Sequence, residues 1–491
     1  MDKAVDDRIG FSAPPLTERE KNTIIGGVLL SMLLAALDQT IVAPAMPTIA
    51  GALGHADYLP WIVTAYLLTA TAMAPLYGKL SDIHGRRPII YAAILIFLAG
   101  SLISAMAPNM FVLILGRAVQ GLGGGGLFAL SQTVIGDLVP PLERARYAAW
   151  ISGTWAVASI AGPLLGGTFA EHLHWSLIFW INIPLGLVAM AIINAPLKKL
   201  PVAGRRHAID SLGALLLIAA TSVLLLALNW GGSEYPWLST EILGLVACSA
   251  LLWAAFGRRL LKAAEPLISL EVLGNRIVLA GTLSMFLLQG ANVGLSVYLP
   301  VYLQSYLGLT AAESGVALLG LLLGTVAGAT TSGRLIPHFR HYKRIALLGS
   351  VFSMICLGLL GLLAGSASLA IVELLTICVG MGMGTGFPVA TVSVQNAVDH
   401  GHLGVVTGVL TFLRSLGGAL GVAALGAVAL GYGLPLVGEG MRGAAHVVSA
   451  APFQTIFLVS AGLMLASFVA VVLMPEIPLR GSHQDAAPVV E

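Results

Sequence analysis

The sequence predicts an all-α polytopic membrane protein with 14 transmembrane helices, arranged as two six-helix bundles with a two-helix insert. Three observations carry that expectation. Apolar residues make up 57% of the 491 positions and charged residues only 10%, against about a quarter charged in soluble domains, and the mean hydropathy is +0.91. Apolar runs of about 20 residues, the length a helix needs to cross a bilayer, recur between charges, prolines and glycines. The basic residues fall almost entirely in alternate connections.

Taken in order, the expected spans are 23–45, 59–78, 89–107, 110–132, 145–169, 176–196, 210–229, 238–257, 277–303, 313–333, 345–365, 368–391, 404–430 and 453–474. None alternates apolar and polar residues at every second position, as strands of a membrane barrel do. Of the 25 Lys and Arg residues, only Arg442 falls in an outer loop and only Arg117 and Arg414 lie deep inside spans, if the amino terminus is cytoplasmic. Basic residues in short loops set orientation, so both termini are expected in the cytoplasm. Trp61, Trp175, Trp180 and Trp237 then fall near the outer face, where an aromatic belt belongs.

The same order suggests domains. Residues 1–22 form a polar cytoplasmic tail without the short apolar core and cleavage site of a secretory signal. Residues 23–196 hold the first six spans. Residues 197–276 hold two long basic connections that flank inserted spans seven and eight, residues 277–474 hold the last six spans, and 475–491 form a second cytoplasmic tail. An internal repeat supports the division. Gly78-Lys79-Leu80 after span two is echoed by Gly333-Arg334-Leu335 after span ten, and the glycine run of span four, Gly121 and Gly123 to Gly126, by Gly380, Gly382, Gly384 and Gly386 of span twelve. Such parallel repeats place a substrate site between the halves near the midplane. The second half lacks the loop acid, since Pro337 stands where Asp82 stands in the first. Cys248, Cys356 and Cys378 are isolated in apolar runs and read as packing residues.

The chemistry-bearing residues begin in the connection after span two, Gly78-Lys79-Leu80-Ser81-Asp82-Ile83-His84-Gly85-Arg86-Arg87-Pro88. A glycine permits a tight turn at a helix end, an acid accepts hydrogen bonds from helix-start amides, and Arg86 and Arg87 anchor the loop at the cytoplasmic surface. This stretch resembles the loop between the second and third helices of the major facilitator superfamily. The resemblance implies a conformational latch in Gly78, Asp82, Gly85, Arg86 and Arg87, holding the inner ends of the two bundles together. A plain topological anchor is the other reading.

Asp38 lies in Leu37-Asp38-Gln39-Thr40, about 22 Å into span one at 1.5 Å per residue. Ionisable groups at such depth face cavities, pair, or relay protons. Arg117 in span four matches that depth, so Asp38 reads either as its fixed counter-ion or as a proton carrier that Arg117 gates. Burial favours the neutral acid and a nearby arginine favours the carboxylate; titration of Asp38 therefore needs the arginine to move away during part of the cycle.

Gly153, Gly162, Pro163, Gly166 and Gly167 let span five approach its neighbours closely. They also resemble the glycine-proline motif of helix five in the antiporter branches of the superfamily. With Trp180-Ile181-Asn182-Ile183-Pro184-Leu185-Gly186 in span six and the 14-span count, the match narrows to the fourteen-helix drug:proton antiporters, over roughly residues 20 to 475. In the second half, Glu373 and Arg414 read as an ion pair that cements the bundle, or Glu373 as a second protonation site. Gln39, Gln289 and Asn292 are candidate substrate contacts, the last two facing Asp38 across the pseudo-symmetry axis.

Other chemistries lack their residues. Gly121, Gly123 and Gly126 satisfy G-x-G-x-x-G, but inside an apolar helix with no preceding strand. No phosphate-binding loop, H-E-x-x-H or clustered Cys/His set occurs, so no nucleotide, nucleic acid, metal, cofactor or catalytic residue is expected. The resemblance implies proton-coupled export of amphipathic or cationic drugs by alternating access, with small amphipathic compounds, protons and the lipid bilayer as partners. It further implies a monomer, with periplasmic adaptors as candidate partners. An exporter of a specific lipid, siderophore or metabolite is the rival on the same fold, and a membrane enzyme or receptor the rival of another class.

Overall fold

Helices account for nearly all of the computed structural model, which describes residues 17–54, 58–197, 210–232, 234–263, 265–432 and 449–479. In chain order they are α1 (Glu18–Leu53), α2 (Leu59–His84), α3 (Arg86–Ala105), α4 (Met110–Leu138), α5 (Pro141–His172), α6 (Leu177–Trp180), α7 (Asn182–Leu197), α8 (Ser211–Trp230), α9 (Thr240–Lys262), α10 (Leu270–Gly274), α11 (Arg276–Ser305), α12 (Ala311–Leu335), α13 (Lys343–Leu363), α14 (Leu369–Asn396), α15 (Leu403–Gly431) and α16 (Ala451–Leu473). Thirteen helical segments, counting α6 and α7 as one, are long and apolar enough to cross a membrane. The remaining expected span coincides with α5, 32 residues long. The tail residues 1–16 and 480–491, the basic stretch from Lys198 to His207, and Arg442 lie outside the described residues.

At two helix ends a cap, not apolar content, sets the boundary. Helix α1 starts at Glu18, five residues before the apolar run, because the Thr17 side chain and Glu20 cap each other's backbone amides; this reciprocal box satisfies two of the free donors at a helix start. Helix α2 runs on to His84 and stops at Gly85, whose φ of 87° suits glycine and ends the helix. The sixth span is divided at Ile181 into α6 and α7. Pro184 explains the division, because it has no N–H to give to the Trp180 carbonyl four residues earlier. Trp175 is buried at 5% exposure and stacks edge-on against Phe179, so it packs inside the fold and does not contribute to an aromatic belt.

Packing follows the glycine pattern of the repeat. On α4, a Cβ at Gly121 or Gly125 would overlap the Tyr66 or Ala70 carbonyl oxygen of α2, and one at Gly123 would overlap the Ala93 carbonyl oxygen of α3. On α14, Gly380 and Gly384 meet the Leu321 and Thr325 carbonyl oxygens of α12, while Gly382 meets Gly349 and Ser353 of α13. The same three-glycine spacing therefore seats one helix against two neighbours in each half. Small residues allow this approach in lipid, where helix association depends on close contact rather than on the hydrophobic effect.

Helix α1 packs on α5, α7 and α4, and α11 on α15, α16 and α14; the two sets meet along α2 against α15 and α5 against α12. Helices α8 and α9 pack on each other and reach α2 and α15 through α8. Several connections gather at one end. Asn275 donates to Ala397 O, Asn396 to Pro478 O, and Tyr342 to Ile477 O. That end also carries the turn at Gly85, through the contact of Asp82 with Gly404.

Candidate functional site: a buried ion pair and a closed end

Asp38 and Arg117 are 0% and 1% exposed and form a direct ion pair between α1 and α4. Each carries further partners. The second carboxylate oxygen of Asp38 accepts from Gln120 Nε2 at 2.6 Å and Asn182 Nδ2 at 2.9 Å. Arg117 donates to Gln120 Oε1 at 2.8 Å and to the Ile62 carbonyl at 3.1 Å, and its guanidinium lies 4.5 Å from the centre of the Tyr66 ring. Ser101 Oγ closes the network, accepting from Gln120 at 2.7 Å and Asn182 at 2.9 Å.

Five helices thus meet at one dry cluster: α1, α2, α3, α4 and α7. A buried charge pair is tolerable only when its remaining lone pairs and protons are also matched, and here the amides and hydroxyl supply that matching. The side-chain oxygen Oδ1 of Asn182 has no partner. Asp38 faces the interior of its own helix set. This corrects the expectation that Gln289 and Asn292 confront it, because every group bonded to Asp38 comes from the first half of the chain.

The loop motif sits at a second, distinct place. Asp82 accepts hydrogen bonds from Gly404 N and Val405 N at 3.0 and 2.8 Å, at the first turn of α15. Arg86 bridges Asp82 and Asp137, the latter at 2.6 Å, and donates to Ser81 Oγ at 2.6 Å. Arg87 donates to Asn194 at 3.0 Å and lies over Tyr91. Gly78 is needed because a side chain there would overlap the Gly404 carbonyl oxygen. Contact between α2 and α15 is therefore close at this end, and Asp82 spans it.

Of the helix-five glycines, Gly162 and Gly166 form a seam with α1, at Thr40 and at the Ile41 carbonyl oxygen. Thr40 Oγ1 adds a 2.7 Å hydrogen bond to Ala158 O. Gly153 and Gly167 have no neighbour within 4 Å that a Cβ would meet, and Pro163 is exposed within an uninterrupted helix.

In the second half, Arg414 and Glu373 do not pair. Arg414 donates to Gln289 Oε1 at 3.2 Å and lies over Phe387, because on α15 it faces α11 and α14. Glu373 is half-buried five residues from the start of α14. Asn292 donates to Thr325 Oγ1 at 3.3 Å. Gln289 and Asn292 are half-buried, as is Gln39 on α1 beside Asp38. Among the described residues no group of three His, Cys, Asp or Glu side chains is placed to hold a metal.

The family model described as Major Facilitator Superfamily matches residues 28–422. The chain belongs to the Major Facilitator Superfamily. It is a membrane transporter and not an enzyme. It is similar to the multidrug transporter protein MdtP of Bacillus subtilis, 34% identical over 420 residues that cover 84% of this chain and 76% of that one. It is also similar to multidrug resistance protein 3 of the same organism, 32% identical over 405 residues, 82% of this chain and 79% of that one. The solved structure of the superfamily's proton:xylose symporter XylE shares the fold at a TM-score of 0.64 and 14% identity, covering 94% of this chain and 97% of that one.

Sequence reasoning missed Gln120, Ser101 and Asp137 as partners in these superfamily sites, and quoted Asn182 without a role. Gln120 carried a signal: it lies one helical turn after Arg117, on the same face. Asp137 also did, as an acid at the end of an apolar helix. Ser101 carried none, because one hydroxyl in an apolar run is common and satisfies itself on its own helix.

Proposed function

We propose that this transporter is a proton-coupled antiporter that exports amphipathic compounds, cationic drugs among them, from the cytoplasm by alternating access. The supporting observation is the Asp38–Arg117 pair, sealed from solvent with Gln120, Asn182 and the Ile62 carbonyl as further partners. Its neighbours by sequence include proteins named as multidrug transporters, which supports the substrate class.

In this reading α5 is the remaining span, giving 14. Residues 23–196 and 277–474 form two six-helix bundles, and α8 and α9 are the insert. The protein sits in the cytoplasmic membrane with both termini inside, as a monomer open to periplasmic adaptors. The end closed by Asp82 and Gly404 is the cytoplasmic one, so substrate leaves from this state and enters from its opposite.

Proton uptake on Asp38 cancels the charge that holds Arg117. Arg117 keeps Gln120, Ile62 O and the Tyr66 face, while the freed acid lets α1 shift against α4. Gln39, Gln289 and Asn292 contact the substrate, Arg414 sets the charge of the second half, and Glu373 carries a second proton. One proton traded for one monovalent cation is electroneutral and yields about 1.4 kcal/mol per pH unit; a further charge adds roughly 2.3 kcal/mol per 100 mV.

The experiment is dye efflux from proteoliposomes under an imposed pH gradient, comparing the parent chain with Asp38→Asn. Gradient-driven efflux that stops in the variant supports the reading. Efflux indifferent to an uncoupler removes proton coupling, and undiminished transport by Asp38→Asn moves the proton to another acid.

A further inference from the structure

Helices α12 and α13 both seat on α14 through glycines, and they barely touch each other. Gly328 of α12 meets the Met381 carbonyl oxygen, and Gly349 of α13 meets Thr385. Two rods pressed onto a third, without packing together, leave a groove between them. The groove is a cavity of about 740 Å³ floored by Met381, Gly382 and Thr385. Its walls are apolar: Leu348 is 71% exposed, Phe352 44% and Phe339 51%.

The mouth is charged. Arg340 and Arg344 line it, beside His338 and His341, and both arginines are exposed. His341 is engaged by Glu476 at 3.1 Å, and His338 by the Arg334 carbonyl at 2.8 Å. Neither arginine side chain has a carboxylate or hydrogen-bond partner among the described residues. From Arg344 to Phe352 the groove descends eight residues of helix, about 12 Å, close to the hydrocarbon depth of one leaflet, roughly 15 Å. The mouth lies at the end where the α12–α13 turn meets the segment after α16, the same end as Asp82 and Gly404 through the shared contacts of α14, α15 and α16.

We propose that this groove binds one anionic phospholipid, with an acyl chain along Leu348, Phe352 and Met381 and the phosphate between Arg340 and Arg344. An apolar cleft open to lipid selects no headgroup by itself. Two unmatched guanidinium groups at headgroup depth do, since each basic residue near a membrane surface favours anionic over neutral lipid and guanidinium forks match phosphate oxygens in pairs. The site is separate from the Asp38 cluster and does not depend on the antiport reading.

Native mass spectrometry of the full chain in detergent, titrated with phosphatidylglycerol or phosphatidylcholine, tests it. The parent chain retains one phosphatidylglycerol at about 30-fold lower concentration than phosphatidylcholine. The double variant Arg340→Gln with Arg344→Gln loses that preference and still retains phosphatidylcholine. The lysine pair, Arg340→Lys with Arg344→Lys, keeps most of it, which separates charge from folding, and Arg258→Gln, an exposed cation on α9, keeps all of it. Equal retention of the two lipids by the parent, or an undiminished preference in the glutamine pair, overturns the proposal. So does displacement of phosphatidylglycerol by an equal concentration of inorganic phosphate, which would mark a phosphate site without the acyl groove.

Discussion

Asp82, at the last turn of α2, accepts a 3.0 Å hydrogen bond from the backbone N–H of Gly404, 322 residues later at the first turn of α15. The first amides of a helix have no partner within it, and a carboxylate at that position also meets the positive end of the helix dipole. Asp82 therefore caps a helix of the other half of the chain. Closure of this end and satisfaction of the α15 start are one event.

Removing the cap should loosen this end. Asp82→Ala costs about 0.5–2 kcal/mol of cap energy, charged to the closed state alone, so the ratio of open to closed molecules rises about 2- to 30-fold. Spin labels at positions 79 and 402 read the separation by pulsed resonance. A distance distribution identical to that of the parent would show that Asp82 does not hold the closure.

Arg117→Ala strands Asp38 as a buried charge without a counter-ion, and breaking such a pair costs about 3–5 kcal/mol. Thermal unfolding in detergent should drop well below that of the parent, and Arg117→Lys should not restore it, because one ammonium cannot replace the fork that reaches Asp38, Gln120 and Ile62 O. Full rescue by lysine would reduce the site to a point charge.

Gln120→Leu keeps the volume and removes two hydrogen bonds on which the pair depends. The expected loss is about 1–3 kcal/mol of stability for the polar groups left unmatched. Pairing this change with Asn182→Leu in a double-mutant cycle should give a loss that differs from the sum of the two, since both amides share Asp38 and Ser101. Strict additivity would mean that the network does not act as a unit.

The glycine seams should be selective. Gly162→Leu forces α1 from α5 at Thr40, and Gly125→Ala and Gly384→Ala force apart equivalent helix pairs in the two halves, at about 1–3 kcal/mol each. Gly167→Leu, in the same six-residue stretch as Gly162, meets open space and should melt within about 0.5 kcal/mol of the parent. Equal sensitivity at positions 162 and 167 would show that the motif works by backbone flexibility and not by close packing.

Much of the architecture was legible because hydropathy is a local quantity. An apolar run between charges is a helix in lipid whatever its neighbours do, since backbone amides there have nowhere else to bond. Asp38 and Arg117 were legible for the same reason: charge at depth needs a partner, and two charges of opposite sign stood at one depth. The amide of Asn182 and the hydroxyl of Ser101 were not, because a neutral group costs too little to announce itself, and Gln120 was marked only by its place one turn after Arg117. Arg414 and Glu373 stand at different depths, which a long arginine side chain could bridge, and they do not pair in the fold, because α15 turns Arg414 toward Gln289 and Phe387.

By itself the sequence determined that this chain is a helical membrane protein, where along it the helices lie to within about eight residues at each end, and that Asp38 and Arg117 are buried at depth. The tertiary structure alone decided which helices are neighbours, and so who satisfies those charges: Asp38 within its own half, Asp82 across to the other. Burial cost is written in each residue, whereas its relief depends on the angle and partner of every helix, which only the packed molecule sets.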